Sequence, residues 1–222
     1  MIGLLVMAAA GLGGDDAPTL DFRAAYTDTG NSSGYTFSAA DIGTASATRR
    51  VVVTVAADDK SMGDISGVTI GGSAATQVVK TSTPTGTNKP TVSIWELDVA
   101  SGATADIVAT FTDSKNRCAI SVYALDNLAT GSVSNTTDQE SDPISVTLNV
   151  EAGDIVIAAA AAGVDQSYSW TGATEDYDTA LEGTSCFSGA SEVMASTDAS
   201  YSVSASLGGA GNHERLAVAV WR

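Results

Sequence analysis

Two stretches far apart in this chain carry the same strand–loop–strand pattern, and a chain that repeats itself folds as related units stacked on one another. Ala105-Asp-Ile-Val-Ala-Thr-Phe111, a polar loop and Asn116-Arg-Cys-Ala-Ile-Ser-Val-Tyr123 stand beside Tyr201-Ser-Val-Ser-Ala-Ser-Leu207, a Gly-rich loop and Arg215-Leu-Ala-Val-Ala-Val-Trp221. In this alignment Ile107 matches Val203, Phe111 matches Leu207, Arg117 matches Arg215, Ile120 matches Val218 and Tyr123 matches Trp221. Upstream, Arg50-Val-Val-Val-Thr-Val-Ala-Ala57 is set against Asp154-Ile-Val-Ile-Ala-Ala-Ala-Ala161, each after a short alternating strand, Tyr35 to Ser38 and Ile144 to Val150.

The period of the apolar residues in these stretches is two. Ile144, Val146, Leu148 and Val150 alternate with Ser145, Thr147 and Asn149, which predicts a strand with one buried and one wet face. The runs Val51 to Val55 and Ile155 to Ala162 do not alternate, which predicts central strands covered on both faces and two halves packed broadly on each other. Gly71-Gly72 and Glu151-Ala-Gly153 read as tight turns, and Pro84, Pro90 and Pro143 fall between strands. The fold class expected is all-β: two tandem, internally repeated β-sandwich halves, immunoglobulin-like or jelly-roll-like. The boundaries expected are an N-terminal apolar arm and lead-in over 1–33, a first half over 34–128, a linker over 129–142 and a second half over 143–222.

Composition narrows the function classes. The chain has 222 residues, 44% of them hydrophobic, with 22 glycines, so it has the apolar content to fold and the turn residues of short strands. Ten Lys and Arg against 26 Asp and Glu leave a formal net charge of −16, which repels a phosphate backbone, so no nucleic acid is expected as a partner. The same acidity keeps an Ala-rich β surface soluble and discourages edge-to-edge association. The apolar run Met1 to Gly14 lacks a preceding Lys or Arg and is too short to span a bilayer, so no membrane partner is expected. It reads as an arm that docks against a neighbouring subunit, the competing reading being a cleaved export signal.

No motif specifies a reaction. The single histidine, His213, sits in a Gly-rich loop with no nucleophile elbow to serve. Gly208 to Gly211 links two strands and opens no helix, so it is not a phosphate cradle. Three acidic groups, Asp58 with Asp59 and Asp64, Asp138 with Glu140 and Asp142, and Glu175 with Asp176 and Asp178, read as solvated loop acids ahead of calcium ligands, and nothing pairs them as glycosidase carboxylates. Trp95, Trp170, Trp221 and Tyr123 could form a sugar platform, but the equivalence of Tyr123 and Trp221 favours one structural job done twice. Cys118 and Cys186 follow no metal or redox spacing, and Cys118 lies in apolar phase, as a buried free thiol does. The chain is therefore read as not an enzyme, with no catalytic, cofactor-binding or metal residues and no cofactor.

The run Tyr35-Thr-Phe-Ser, Arg50-Val-Val-Val-Thr-Val, Ser66-Gly-Val-Thr-Ile-Gly-Gly-Ser-Ala-Ala-Thr, Trp95-Glu-Leu-Asp-Val and Asn116-Arg-Cys-Ala-Ile-Ser-Val-Tyr resembles β-rich virion structural proteins of tailed phages and prophages, of the tail-fibre, minor tail or head-decoration type. The resemblance implies assembly onto a particle in the host cytoplasm, other virion proteins of capsid or tail as partners, a homo-oligomer, and a host-surface glycan as a further partner. A secreted bacterial adhesin or carbohydrate-binding β-sandwich module is the alternative.

Overall fold

The structure, a computed structural model, describes residues 17–59, 63–82, 90–139, 142–181, 184–209 and 213–222. Among them there is no helix, and sixteen strands form antiparallel sheets throughout. The first repeat supplies β1 (Thr19–Asp28), β2 (Ser32–Asp41), β3 (Arg50–Asp59), β4 (Ile65–Ile70), β5 (Ser73–Ala74), β6 (Thr76–Lys80), β7 (Thr91–Asp98) and β8 (Thr104–Asp126). The second supplies β9 (Ser132–Gln139), β10 (Ile144–Val150), β11 (Ile155–Ala162), β12 (Tyr168–Thr171), β13 (Thr174–Leu181), β14 (Ser185–Val193), β15 (Asp198–Leu207) and β16 (Arg215–Trp221).

The repeat seen in the residues is a repeat of topology. β8 is 23 residues long and serves two layers, its first half lying between β2 and β4 and its second half between β1 and β3. The strand orders of the first repeat are thus β2-β8-β4-β5 and β1-β8-β3-β7-β6. The second repeat has β10-β15-β12 and β9-β16-β11-β14-β13, the same orders with β15 and β16 in place of the two halves of β8 and no counterpart to the two-residue β5. The polar loop expected after Phe111 is instead strand, because Thr112 to Lys115 contains neither Gly nor Pro to leave the extended backbone. After Leu207 the chain meets Gly208 and Gly209 and the strand ends.

Three expectations need correction. The lead-in 1–33 contains β1, which pairs with β8 over Thr19 to Asp28, and the linker 129–142 contains β9, which pairs with β16 over Ser132 to Gln139. Each half therefore begins one strand earlier than expected, and the missed strand is the same one in both. Both are edge strands with weak signals: β9 carries Val133 as its one large apolar residue, and the alternation of β1 over Thr19 to Arg23 breaks at the bulge between Phe22 and Ala24. The third correction is one of phase: Val52 lies opposite Tyr123 and Ile155 opposite Trp221, so Val52, not Val51, is the counterpart of Ile155. A one-residue slip exchanges the two faces of a strand, and here it decides which side chains reach the other repeat.

Three cores stack between four layers. Tyr35, Val51, Val53, Val55, Ile107 and Ile120 fill the space between the two layers of the first repeat. Ile144, Val146, Leu148, Val156, Val203 and Val218 do the same in the second. Between the two five-stranded layers lies a third core, in which Val52, Ile94 and Leu125 meet Ile155, Ile157, Phe187 and Ala219. Both faces of β3 and β11 are therefore covered, which is why their sequences run without alternation. Each large side chain buried in the seam contributes about 1.5–3 kcal/mol, so the repeats are joined by a true core. Gly71 and Gly72, at φ 58 and 80, form the two-residue turn between Ile70 and Ser73, which demands left-handed backbone at both positions.

Candidate functional site at the seam between the repeats

Tyr123 on β8 and Trp221 on β16 occupy matching places, opposite Val52 and Ile155, and both side chains enter the seam. Both are fully buried, and each carries one polar atom that burial obliges to find a partner. The partners are reciprocal. Tyr123 Oη donates to Asp176 Oδ2 of the second repeat at 2.9 Å, and Trp221 Nε1 donates to Glu96 Oε2 of the first at 2.6 Å.

Around Tyr123 the seam is aromatic. The Phe22 ring from β1 stands 5.3 Å from Tyr123 and lies nearly parallel to Tyr177 at 6.0 Å. Tyr177 packs over Gly189, where a Cβ would come within 2.3 Å of its ring. Beneath, Thr54 and Ser121 exchange a hydroxyl hydrogen bond of 2.6 Å, and the Tyr177 hydroxyl is 3.4 Å from Thr54. A third polar bridge uses Arg117, whose Nη1 donates to Leu181 O at 2.6 Å and also to Thr184, while Asp58 accepts from Ser185 at 3.4 Å. Its repeat counterpart, Arg215, is buried and donates to the carbonyl of Glu214 at 3.0 Å.

The two carboxylates live in different fields. Glu96 lies 3.6 Å from Arg50 Nη1, and the Arg50 guanidinium also bonds Asp98 at 2.8 Å, which holds Arg50 above its ordinary range. Asp176, half-buried on β13, makes no ion pair among the described residues. Burial pushes its carboxyl up, Glu192 adds to that, and the hydrogen bonds from Ser191 and Tyr123 oppose it. Burial likewise raises Glu175 and Asp178 on the same strand, and the neighbouring carboxylates push Glu175 further.

The residues singled out in the sequence fall as follows. Trp95 is buried in the first repeat's core with Nε1 on Ser93 Oγ at 2.9 Å, and Trp170 is half-buried against Tyr168 with Nε1 on Ser188 Oγ at 2.8 Å. With Tyr123 and Trp221 in the seam, these four rings do not converge on one platform. Asp64 pairs with Lys80 at 2.5 Å, Asp138 accepts from Ser145 N at 2.9 Å, and Asp142 accepts from Ser206 Oγ at 3.1 Å. Asp178 accepts from Tyr168 N at 2.9 Å. Asp58 and Asp176 are not solvated loop acids: both lie on strands and both join the repeats. Glu140, the side chain of Asp59 and the arm 1–14 lie outside the described residues.

Among the described residues no group of three or more His, Cys, Asp or Glu is placed to hold a metal. His213 is half-buried at φ 55 ahead of β16. Cys118 and Cys186 are both free and buried, and burial pushes the Cys186 thiol up to about 12 and Cys118 higher still, so neither is a ready nucleophile. A shallow depression of about 420 Å³ at one end of the first repeat is lined by Ile70, Leu97, Val99 and Thr104 and lies away from the seam. Sequence reasoning missed Phe22, Glu96 and Tyr177. The available signal was Glu96 itself, a carboxylate beside the otherwise buried run Thr91 to Trp95. No protein-family model matches the chain, and no curated protein matches it.

Proposed function

We propose that this chain is a non-enzymatic structural protein of a tailed-phage virion, carried on the outside of the particle as a capsid-decoration or tail-fibre or minor tail component. The observation that carries the reading is the seam: two repeats that share one strand order are fused through a continuous apolar core into a four-layer body. Such a body resists shear and relative motion of its halves, which a particle component needs and a binding module with a mobile cleft does not.

The outermost layers support it. On β10 the outward residues are Ser145, Thr147 and Asn149, and on the opposite side of the molecule Thr36 and Thr110 face outward. These faces are rich in hydroxyls, with Asp106 exposed beside Thr110 on β8, in a chain whose net charge of −16 would otherwise oppose packing against further copies. The partners of this reading are other virion proteins and further copies of the chain. The carbohydrate-binding reading is weakened because Trp95, Trp221 and Tyr123 are buried.

Mass spectrometry of purified particles tests the proposal. The expected result is this chain in stoichiometric amount with its Met1 end intact. Its absence from particles, together with a processed form beginning after Gly14 in the medium, would favour the exported adhesin and overturn the virion reading.

A further inference from the structure

We propose that the seam is a proton-operated clamp, in which protonation of the Asp176 carboxyl tightens the contact between β13 of the second repeat and β1 and β8 of the first. The carboxyl spans the seam, with its Oδ2 on Tyr123 Oη at 2.9 Å, and Tyr123 is fully buried. The groups that act on it are Tyr123 from β8, Glu175 and Tyr177 from its own strand β13, and Ser191 and Glu192 from β14, while Phe22 from β1, Thr54 from β3 and Ser121 from β8 pack against or bond the two tyrosines. Every ionisable group in that set is an acid. Among the described residues Asp176 makes no ion pair, and Arg23, next to Phe22 in sequence, is engaged by Asp21 and Asp41.

A charge on Asp176 is therefore opposed twice, by its burial and by Glu192. One proton taken from bulk water removes both penalties. The neutral carboxyl still accepts from Tyr123 through its carbonyl oxygen and gains a donor of its own. Glu175 and Asp178 are displaced in the same direction, so the response is summed along one strand. The sign follows from the raised value: a carboxyl that holds its proton more tightly when the seam is closed contributes stability that is fully present below the ordinary aspartate range. That contribution is lost as pH rises through the closed-state value. The clamp holds in mildly acidic surroundings and slackens in alkaline ones, whether or not the chain belongs to a virion.

Thermal melting of the full chain and of Asp176→Asn across a pH series tests this. The expected result is that the variant melts about 3 °C above wild type at about pH 8 and that the curves converge at about pH 4. A difference that is the same at every pH, or a variant that melts lower at about pH 8, overturns the clamp. Because the variant could fail to fold, the Asp176 carboxyl of the unmodified protein is also titrated by carbon-13 NMR. A midpoint above the ordinary aspartate value is required, and one at or below it overturns the proposal on its own.

Discussion

At one end of the seam Trp221 donates to a carboxylate with an arginine beside it, and at the other Tyr123 donates to a carboxylate that makes no ion pair among the described residues. The strand order at the two ends is related by the repeat, and both aromatic residues reach across to the opposite half. The acceptor strands and the charges differ: Glu96 lies on β7, fourth in its layer, and Asp176 on β13, an edge strand whose counterpart is β6. Repetition has therefore copied the backbone and the apolar contacts, which tolerate substitution of one ring for another, whereas the electrostatics of each end have been set separately. At the Trp221 end the Arg50 guanidinium stands beside Glu96, whereas at the Tyr123 end burial and Glu192 raise the Asp176 carboxyl.

The largest effect is expected from Trp221→Ala, which removes a fully buried ring and leaves Glu96 without its indole donor. Large aromatic truncations in a core cost about 3–5 kcal/mol, and urea denaturation should report a loss in that range. If the seam were a loose contact between two self-sufficient sandwiches, the loss would be under about 1 kcal/mol, as at surface positions. That outcome would break the comparison at its root.

The residues that carry the seam were partly legible. Tyr123 and Trp221 stand at matching places in a visible repeat, and the unbroken apolar runs of β3 and β11 announce strands covered on both faces. The same lack of alternation conceals their phase, since a strand buried on both sides carries no record of which side faces which neighbour. That is why Val51, and not Val52, was set against Ile155. β1 and β9 are hidden for other reasons: β9 has a single large apolar residue, Val133, and the alternation of β1 is cut short by the bulge after Phe22. The partners Glu96 and Asp176 lie on strands of opposite repeats, and no local pattern links residues that only packing brings together.

A smaller effect is expected at Gly189, which touches only the Tyr123 end. A Cβ at this position would sit 2.3 Å from Tyr177 Cε1 in a place already occupied by the ring. Gly189→Ala should therefore cost about 1–3 kcal/mol by forcing Tyr177 away from Phe22. Near-ultraviolet circular dichroism should show the lost aromatic packing while the Trp221 end stays intact. No change in the tyrosine signal would mean that the ring has room to spare and that the stack does not restrain this end.

Tyr123→Phe sharpens the contrast further because it keeps the ring and deletes one hydroxyl. Asp176 loses its cross-seam donor, and a hydrogen bond to a carboxylate that is largely charged contributes about 1.5–3 kcal/mol. The loss should be greatest at alkaline pH, where the carboxyl is ionised, and should shrink as it becomes protonated. Denaturation midpoints compared across pH check this, and a loss independent of pH would show that the hydroxyl serves packing alone.

The smallest effect separates the two ends by sign. Next to Trp221, Arg222 donates through Nε and Nη2 to Asp154, each at 2.8 Å, and the Asp154 side chain is fully buried. Burial alone would push this carboxyl up, but the Arg222 guanidinium and the Glu151 N–H together outweigh it and hold Asp154 below its ordinary value. A carboxyl lowered in the folded state contributes stability present above its unfolded value and lost as pH falls through the folded one, the reverse of Asp176. Because the Arg222 side chain is about a third exposed, at 36%, solvent screens the pair and the contribution is modest. Arg222→Ala should thus shift the acid limb of the melting profile toward higher pH and leave the alkaline limb, governed by the Tyr123 end, where it was. Melting curves on both sides of neutrality distinguish the outcomes: if the alkaline limb moves as well, the two ends of the seam are coupled, and they cannot be treated as separately set.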